Sequence, residues 1–457
     1  MQILFLGGVD EVTGSCFLIE TSRGKLLIDC GMFQGEKEEA KHNFDQFSFD
    51  PKSLDAVLVT HAHVDHTGRL PLLVKEGFGG LVYFTPPTKT VAMLILEDAQ
   101  RVMAENAEKH GDKILYLPED ISRLKTRSRG INYHTEFEPI PGIKAMFHNA
   151  GHILGSAYLS LDIPAEEMTS GQATRFIFSG DIGNDAVPIL PETEPIDHAD
   201  YVIVESTYGN REHEPVAVRQ EKLQEMISKV IGRGGSLLIP AFSVERTQEL
   251  LYALDELFDQ KKLPKVPIYL DSPLAIHTTE AYRQYKDYLQ FDRKILSSPD
   301  ADFFSFPNLK LTLTQQESKT INNDHRPKII IAGSGMMTGG RILHHLKRYL
   351  NDEKSGLLII GYQAEGTLGR RIFDGASKVM IYGDEVDVRA SVEAIGAFSA
   401  HGDRNKLARW LVPKSGEVKK IFLVHGEEVV KVDFKSFLQD KVSSEVIIPK
   451  FAENFEF

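Results

Sequence analysis

The sequence predicts an α/β protein of two domains, one of which is inserted into the other. The chain has 457 residues, which is too many for one ordinary hydrophobic core. Short β-rich runs bounded by turn residues fill the first 60 residues, recur between Ala145 and Glu205 and return near Ser391, whereas the middle alternates helix-like and strand-like segments. We therefore predict one domain made of residues 1–208 and 393–457, and an inserted domain at 209–392.

The first part of the chain carries strand signals interrupted by helices. Apolar runs bounded by turn or polar residues predict strands at 2–6, 15–19, 25–29 and 54–60. Residues 70–75 are expected to form the start of a short helix. A long helix is expected at 88–110, with Thr88 as its N-cap after two prolines. Four further strands are expected at 145–148, 156–161, 174–179 and 201–205.

The middle block has a different pattern. Helices are predicted at 219–231, 247–258, 276–289 and 341–350, with strands between them at 236–239, 266–270, 328–331 and 357–360. Strands separated by helices are typical of an α/β unit with a mostly parallel sheet. The last strands of the chain are expected at 420–424 and 446–448.

Composition excludes several classes of protein. Hydrophobic residues make up 42% and charged residues 26%, as in globular domains, and no apolar run is long enough to span a membrane. The two cysteines, Cys16 and Cys30, lie in apolar surroundings and predict buried packing residues of a cytoplasmic protein. The net charge of −13 argues against a surface that coats nucleic acid, but it does not exclude a local basic groove that binds nucleic acid.

The segment THAHVDHTG holds an unusual cluster of metal-ligand side chains. His61, His63, Asp65 and His66 follow a predicted strand, and imidazole with carboxylate but no thiolate suits zinc or a similar divalent ion. Four ligands in one loop would crowd a single ion, which favours a pair of ions and requires more ligands. Three candidates stand at the ends of other predicted strands: His152, Asp181 and His425. The remaining histidines are expected to be structural or solvated.

The motifs HAHVDHTG, GHILGS, FSGDIGN and VHGE resemble the metal motifs of the metallo-β-lactamase superfamily, a four-layer αββα hydrolase fold. The resemblance implies that Asp29, in LIDCG, supports the ligand loop from behind the metal. It also implies two zinc ions, with manganese or iron as alternatives. One ion is held by His61, His63 and His152, the other by Asp65, His66 and His425, and Asp181 bridges them.

The spacing of the motifs resembles one branch of that superfamily. Asp181 and His425 are 244 residues apart, with Glu205 before the inserted block and His401 after it. This arrangement is similar to the β-CASP nucleases, which include the pre-mRNA 3′-end processing endonuclease and its prokaryotic relatives. The fold class expected is thus a metallo-β-lactamase sandwich with an inserted α/β β-CASP domain. A histidine at the position of His425 implies an RNA substrate.

Segments of the insert are candidates for contacts with RNA. The glycine-rich loop at 333–340 lies between a strand and a helix, where backbone amides and the helix N-terminus can hold a phosphate. Segment 361–371 is a second candidate, although glycine-rich loops are most often plain turns. The expected RNA contacts are Arg246, Ser272, Ser334, Gly335, Met336, Thr338, Gly339, Gly340 and Arg370.

These observations predict two-metal hydrolysis of single-stranded RNA that leaves a 3′-hydroxyl and a 5′-phosphate. His401, oriented by Glu205, is the expected general acid, and Asp65 and Asp181 complete the catalytic set. The absence of the C-terminal domain of bacterial exonucleolytic relatives favours an endonuclease. The alternatives are a 5′-3′ exoribonuclease or a DNA nuclease of the same branch, a small-molecule hydrolase, and an inactive scaffold. We expect that the protein does not bind a membrane, and a homodimer is one option for its oligomeric state.

Overall fold

The structure is a computed structural model that describes residues 1–34, 41–185, 187–214, 218–290, 302, 304–361, 363, 365–413 and 417–457. The chain divides into two units. The first contains Met1–Asp185, Leu190–Glu212 and His401–Phe457, and the second contains Ala186–Ile189 and His213–Ala400.

Two seven-stranded sheets form the centre of the first unit. One sheet consists of β1 (Gln2–Phe5), β2 (Phe17–Thr21), β3 (Gly24–Ile28), β4 (Ala56–Leu58), β5 (Leu81–Phe84), β6 (Ser128–Gly130) and β22 (Asn454–Glu456), in the order β22-β1-β2-β3-β4-β5-β6. The other consists of β7 (Phe137–Ile140), β8 (Ile143–Asn149), β9 (Ala157–Ile163), β10 (Thr174–Phe178), β11 (Tyr201–Glu205), β20 (Lys420–Val424) and β21 (Glu445–Ile447), in the order β21-β20-β11-β10-β9-β8-β7.

The two sheets pack face to face through aromatic side chains. Phe5 lies 5.5 Å from Phe422 and Phe17 lies 6.2 Å from Phe178, measured between ring centroids. Alternate residues of β10 point to opposite sides, so Phe178 enters this core while Ile177 packs towards the outer helices. The result is the inner pair of layers of an αββα sandwich.

Helices cover the outer faces of both sheets. The first sheet carries α1 (Val64–Thr67), α2 (Leu70–Lys75), α3 (Pro86–His110) and α4 (Pro118–Arg127), of which α3 and α4 contact β5. The second sheet carries α11 (Arg404–Trp410) and α12 (Glu428–Leu438), whose Trp410 and Phe434 share a buried cluster with Ile177. Among the described residues, no helix is both long enough and apolar enough to cross a membrane.

The second unit is built on a six-stranded sheet. Its strands are β12 (Ser236–Pro240), β13 (Ile268–Leu270), β14 (Leu309–Leu311), β15 (Lys328–Ala332), β16 (Gly356–Ile359) and β19 (Ser391–Ala394), in the order β14-β13-β15-β12-β16-β19. Every pairing in this sheet is parallel, which confirms the predicted parallel α/β texture. Two further strands, β17 (Lys378–Ile381) and β18 (Asp384–Asp387), form an antiparallel pair. The helices are α5 (Arg219–Gly232), α6 (Arg246–Asp259), α7 (Pro273–Gln284), α8 (Gln315–Thr320), α9 (Ile342–Tyr349) and α10 (Leu368–Phe373).

The sequence predictions and the structure differ in a few places. The long helix α3 is capped by Thr85, whose hydroxyl accepts a hydrogen bond from the Thr88 amide, so the prediction of Thr88 as N-cap is wrong. Prolines fill the first two helical positions, where a missing N–H costs nothing. The helix expected over 276–289 ends at Gln284. The strand near Ser391 belongs to the sheet of the second unit, because β19 pairs with β16.

The two cysteines are free thiols, and both are buried as predicted. Cys16 is 1% exposed and Cys30 is 0% exposed, which matches packing residues rather than a disulfide framework.

Candidate metal centre

The centre lies where parallel strands of the first unit end. β3 and β4 are parallel neighbours, as are β10, β11 and β20. The candidate residues Asp29, His61, Asp181, Glu205 and His425 stand at or just beyond the carboxyl ends of these strands. Because parallel strands end at the same edge of a sheet, residues far apart in sequence are delivered to one place.

Asp29 fixes the loop that carries the first histidines. Its Oδ1 accepts a hydrogen bond from the Thr60 amide and its Oδ2 accepts one from the Thr60 hydroxyl, both at 2.8 Å. The same Oδ2 lies 2.7 Å from Nδ1 of His66. A proton on that nitrogen leaves the lone pair on Nε2, which is how a carboxylate behind a histidine prepares it for a metal.

Thr60 is a supporting residue that the sequence interpretation did not single out. Since its hydroxyl donates to Asp29, its oxygen can accept from Nδ1 of His61, which lies 3.1 Å away. This leaves the lone pair on Nε2 of His61, which is then the candidate ligand atom. The THAHVDHTG segment contains Thr60, but only the fold shows that its hydroxyl contacts Asp29.

Four buried or nearly buried side chains form the first ligand cluster: His61, His63, His152 and Asp181. Nδ1 of His63 lies 3.1 Å from Nε2 of His61 and 3.3 Å from Nε2 of His152. Asp181 Oδ2 lies 3.3 Å from Nε2 of His61 and 3.4 Å from Nε2 of His152. All four atoms therefore converge on one point.

The second cluster contains Asp65, His66 and His425. Nε2 of His66 lies 3.1 Å from Nε2 of His425, which in turn lies 3.3 Å from Asp65 Oδ2. Asp181 Oδ1 faces this cluster, 3.3 Å from Nε2 of His66 and 3.8 Å from Nε2 of His425. The two oxygens of Asp181 thus point into different clusters.

These spacings fit divalent ions. Two ligands bound 2.0–2.1 Å from a tetrahedral ion lie about 3.4 Å from each other. Asp181 is 2% exposed, and its Oδ1 has no hydrogen-bond partner among the described residues. A buried carboxylate oxygen facing imidazole nitrogens without a hydrogen bond is expensive unless a cation lies between them. The residues present therefore fit a pair of metal ions.

The protonation of the clusters also suits metal binding. Burial, and then the neighbouring His61, lower the pKa of His63 to about 3. Burial likewise lowers the pKa of His61 and takes that of His152 well below its usual range. Burial alone would raise the pKa of Asp181, but the surrounding histidines hold it well below its usual range. The first cluster is thus an anionic carboxylate with neutral imidazoles, which are the forms that bind metals.

His66 and His425 differ from the first cluster. Burial alone would lower the pKa of His66, but Asp181 and Asp29 raise it well above its usual value. The pKa of His425 is also raised, because Asp181 and Asp65 outweigh burial. Metal binding at the second cluster would therefore displace protons, and its affinity would depend on pH.

His401 and Glu205 form a pair beside the clusters. Nδ1 of His401 lies 3.2 Å from both carboxylate oxygens of Glu205 and 3.8 Å from Oδ2 of Asp181. Burial alone would lower the pKa of His401, but Glu205 and Asp181 raise it. Glu205 is fully buried, and its Oε1 also accepts from the amide of Ile182, next to Asp181. The pair is thereby fixed relative to the bridging carboxylate.

His425 adopts a left-handed backbone conformation, with φ of 50°. Its amide donates to the Gly8 carbonyl, and its Nδ1 lies 3.2 Å from the Thr207 hydroxyl. Thr207 is a second support that the sequence interpretation missed. It lies two residues after Glu205, so the segment ESTYG supplies both the partner of His401 and a contact to His425.

The residues expected to contact RNA lie in the second unit, several at the carboxyl edge of its sheet. Ser272 follows β13 and caps α7, accepting from the Ala275 amide. In the loop after β15, the Ser334 hydroxyl accepts from the amides of Thr338 and Gly339 at 3.0 and 3.2 Å. Gly340 has φ of 74°, and a Cβ there would lie 2.4 Å from the Gly333 carbonyl oxygen. Glycine is therefore required at this turn.

The other expected contacts differ in exposure. The carbonyls of Gly335 and Met336 accept hydrogen bonds from Gln363 Nε2 and the Gly369 amide, at 3.0 and 3.2 Å. Arg370 is partly exposed and pairs with Asp374. Arg246 is only 4% exposed and pairs with buried Glu249, so its guanidinium faces the interior of the unit in this structure. Residues 362 and 364 of the predicted segment 361–371 lie outside the described residues.

Three family models match the chain. The model described as metallo-beta-lactamase superfamily matches residues 9–119, and the Beta-Casp domain matches residues 247–372. The Zn-dependent metallo-hydrolase RNA specificity domain matches residues 385–449.

Several named proteins are similar along nearly the whole of this chain. Ribonuclease TTHA0252 of Thermus thermophilus is 40% identical over 428 residues, which are 94% of each chain. An RNase J-like protein of Methanocaldococcus jannaschii is 34% identical and covers 97% of both chains. Transcription termination factor FttA of the same organism is 34% identical over 98% of this chain and 70% of its own. A solved structure of a protein of unknown function from Enterococcus faecalis V583 shares the fold, with a TM-score of 0.53 at 12% identity and 99% coverage of both chains.

Proposed function

The chain belongs to the β-CASP branch of the metallo-β-lactamase superfamily and is a metal-dependent hydrolase of the nuclease type, and we propose that it cleaves single-stranded RNA with two zinc ions. Cleavage is endonucleolytic in this proposal and leaves a 3′-hydroxyl and a 5′-phosphate. The RNA substrate class is supported by the ribonuclease relatives and by the RNA specificity domain.

The observation that carries the proposal is the position of the Asp181 carboxylate. One oxygen faces His61 and His152, and the other faces His66. A carboxylate shared in this way could contribute one oxygen to each of two ions, which is the kind of site that two-metal phosphodiesterases use. When bound, two such ions supply an activated water nucleophile and neutralise the charge of the phosphate.

The chain's own residues supply the proton for the leaving group. Nδ1 of His401 is directed at Glu205, so Nε2 is the nitrogen that would deliver a proton to the departing 3′ oxygen. The raised pKa of His401 keeps the ring protonated over a wider range of pH, which a general acid needs. Asp181, 3.8 Å from Nδ1, ties this acid to the ligand clusters.

The finer parts of the proposal rest on the resemblance of the motifs. His425 at the third β-CASP motif favours RNA over DNA as the substrate. The endonucleolytic mode of cleavage is proposed because the motifs resemble those of the pre-mRNA 3′-end processing endonuclease. The glycine-rich turn at 333–340 supports binding of the RNA backbone through its position, because it follows β15 at the carboxyl edge of the parallel sheet, where ligands of such sheets bind.

A combined experiment tests the proposal. Purified protein is analysed for metal content and then incubated with circular single-stranded RNA, with the same RNA in linear, 5′-labelled form, and with single-stranded DNA of the same sequence. We expect two zinc ions per chain, cleavage of the circle, and products that a 5′-phosphate-dependent exonuclease can degrade. Cleavage of the linear RNA alone would refute the endonucleolytic mode, and cleavage of neither RNA, or of DNA only, would refute the RNA assignment.

A further inference from the structure

A second group of metal-ligand side chains lies in the first unit, outside the centre described above. His134, His148 and Glu194 bring three ligand atoms within 4.8 Å of one another. We propose that these residues bind an additional Zn²⁺ ion, with water as the fourth ligand. Two imidazoles and one carboxylate are a common protein ligand set for zinc.

The distances between the ligand atoms fit such an ion. Glu194 Oε2 lies 2.8 Å from Nε2 of His134 and 3.8 Å from Nδ1 of His148. These values bracket the separation of about 3.4 Å expected between two ligands of a tetrahedral zinc. A movement of the Glu194 carboxylate away from His134 and towards His148 would bring both distances closer to that value.

His148 presents a lone pair to this group. Its Nε2 lies 3.0 Å from the Ser160 hydroxyl, and its ring stacks on Tyr158 at 4.6 Å between centroids. When Nε2 donates its proton to Ser160, the lone pair is on Nδ1, which faces the Glu194 carboxylate. Two electron-rich atoms facing each other across 3.8 Å favour a cation between them. Burial, and then His134 and Arg175, lower the pKa of His148 to about 4, so the ring is neutral at physiological pH.

The backbone around all three residues is fixed before any ion binds. His134 has φ of 58°, and its amide donates to the carbonyl of Phe147 in β8. The Glu194 amide donates to the Asn149 carbonyl, and the Glu194 carbonyl accepts from Nε1 of Trp410. A preformed site of this kind loses little conformational entropy when it binds a metal.

The site joins segments that support the metal centre. β8 ends at Asn149, three residues before His152, and the chain turns between these two residues. The loop that leads to Glu194 contacts this turn through the Thr193 hydroxyl, which donates to the Ala150 carbonyl. Zinc bound by His134, His148 and Glu194 would link β8 to the segment between β6 and β7 and to the loop between β10 and β11. We therefore assign it a structural role and expect it to raise the thermal stability of the chain.

The test compares metal stoichiometry between matched variants. Protein stripped with a chelator is dialysed against micromolar Zn²⁺, and bound metal is measured by mass spectrometry. We expect His134→Ala and Glu194→Gln each to bind one equivalent less than wild type. The His134 side chain is 61% exposed, so its loss should leave the fold intact. His42→Ala is the control, because His42 is equally exposed and pairs with Asp45 at 2.8 Å but has no third ligand in the described groups.

The difference between variants, rather than the total count, decides the outcome. The same comparison in an Asp181→Asn background separates this site from the proposed catalytic pair, since the loss of one equivalent should persist when the catalytic ions are gone. Thermal midpoints give a second readout, and zinc should raise that of wild type more than that of His134→Ala. Equal stoichiometry in wild type and His134→Ala would show that His134 and Glu194 form only a surface ion pair.

Discussion

Replacing His401 with alanine should separate catalysis from metal binding. The substitution removes the proposed general acid and leaves all seven candidate ligand residues in place. General acid catalysis contributes about 10²–10⁴-fold to rate, which corresponds to roughly 3–5 kcal/mol of barrier. We expect a loss of cleavage rate in this range with the metal content of wild type.

The structure indicates that this variant stays folded. After the imidazole is lost, Glu205 still accepts from the Ile182 amide at 2.7 Å and from the Thr207 amide at 3.3 Å. The buried carboxylate therefore loses one partner of three, at a cost of about 1–3 kcal/mol in folding free energy. The loss of rate can then be assigned to the missing acid rather than to unfolding.

The assay is single-turnover cleavage of labelled single-stranded RNA with enzyme in excess, together with metal analysis and circular dichroism of each variant. His42→Ala, a substitution of an exposed histidine, is the control and should cleave at the wild-type rate. A parallel fall in metal content and rate would show that His401 is a ligand. A wild-type rate in His401→Ala would show that another group protonates the leaving oxygen.

Four further predictions concern the metal centre, the second unit and RNA binding. Asp181→Asn should lose metal from both clusters, whereas Asp65→Asn should lose about one ion. Metal analysis that finds the loss of a single ion from Asp181→Asn would contradict the bridging role of Asp181. Asp29→Asn should weaken metal affinity about 10–100-fold in a chelator competition, because the carboxylate orients His66, and an unchanged affinity would argue against this support. Burial and Glu249 raise the pKa of Glu245 from 4.5 to about 8. Between pH 4.5 and about pH 8 the folded protein therefore keeps a proton on Glu245 that the unfolded chain has lost. The free energy of unfolding should fall as the pH rises through this range. Glu245→Gln should therefore raise the thermal midpoint more near pH 8 than near pH 5, and equal shifts at both would contradict the raised pKa. Arg370→Ala should reduce the slope of log affinity for single-stranded RNA against log salt by about 0.7, and an unchanged slope would exclude a phosphate contact.

Much of the fold follows from local sequence patterns. Punctuated apolar runs placed most of the described strands of the first unit and half of those of the second, and the alternation of helices and strands predicted the parallel sheet of the second unit. The predictions omitted β5 (Leu81–Phe84) and the helix α4 (Pro118–Arg127), although both carry recognisable signals. The helices α11 and α12 were also omitted, because short strands were expected throughout the C-terminal segment.

Part of the candidate site could likewise be predicted from local sequence, and the rest depends on the tertiary structure. The cluster at 61–66 indicated the metal chemistry by itself, since three imidazoles and a carboxylate seldom lie so close together except at a metal ion. The sequence could not show that the oxygens of Asp181 face different clusters, or that Thr60 and Thr207 orient His61 and His425. These contacts depend on side-chain directions that local propensity does not specify.

The sequence by itself therefore indicated which residue types are candidate metal ligands and where most strands of the first unit lie, because both depend on neighbours along the chain. Only the tertiary structure decided which side chains meet. β11 lies between β10 and β20, and this order of strands brings Glu205 within reach of His401 and places Asp181 beside His425. It also unites His134, His148 and Glu194, which no pattern along the chain connects. The order of strands in a sheet is fixed by how the whole core packs, so no short stretch of sequence contains it.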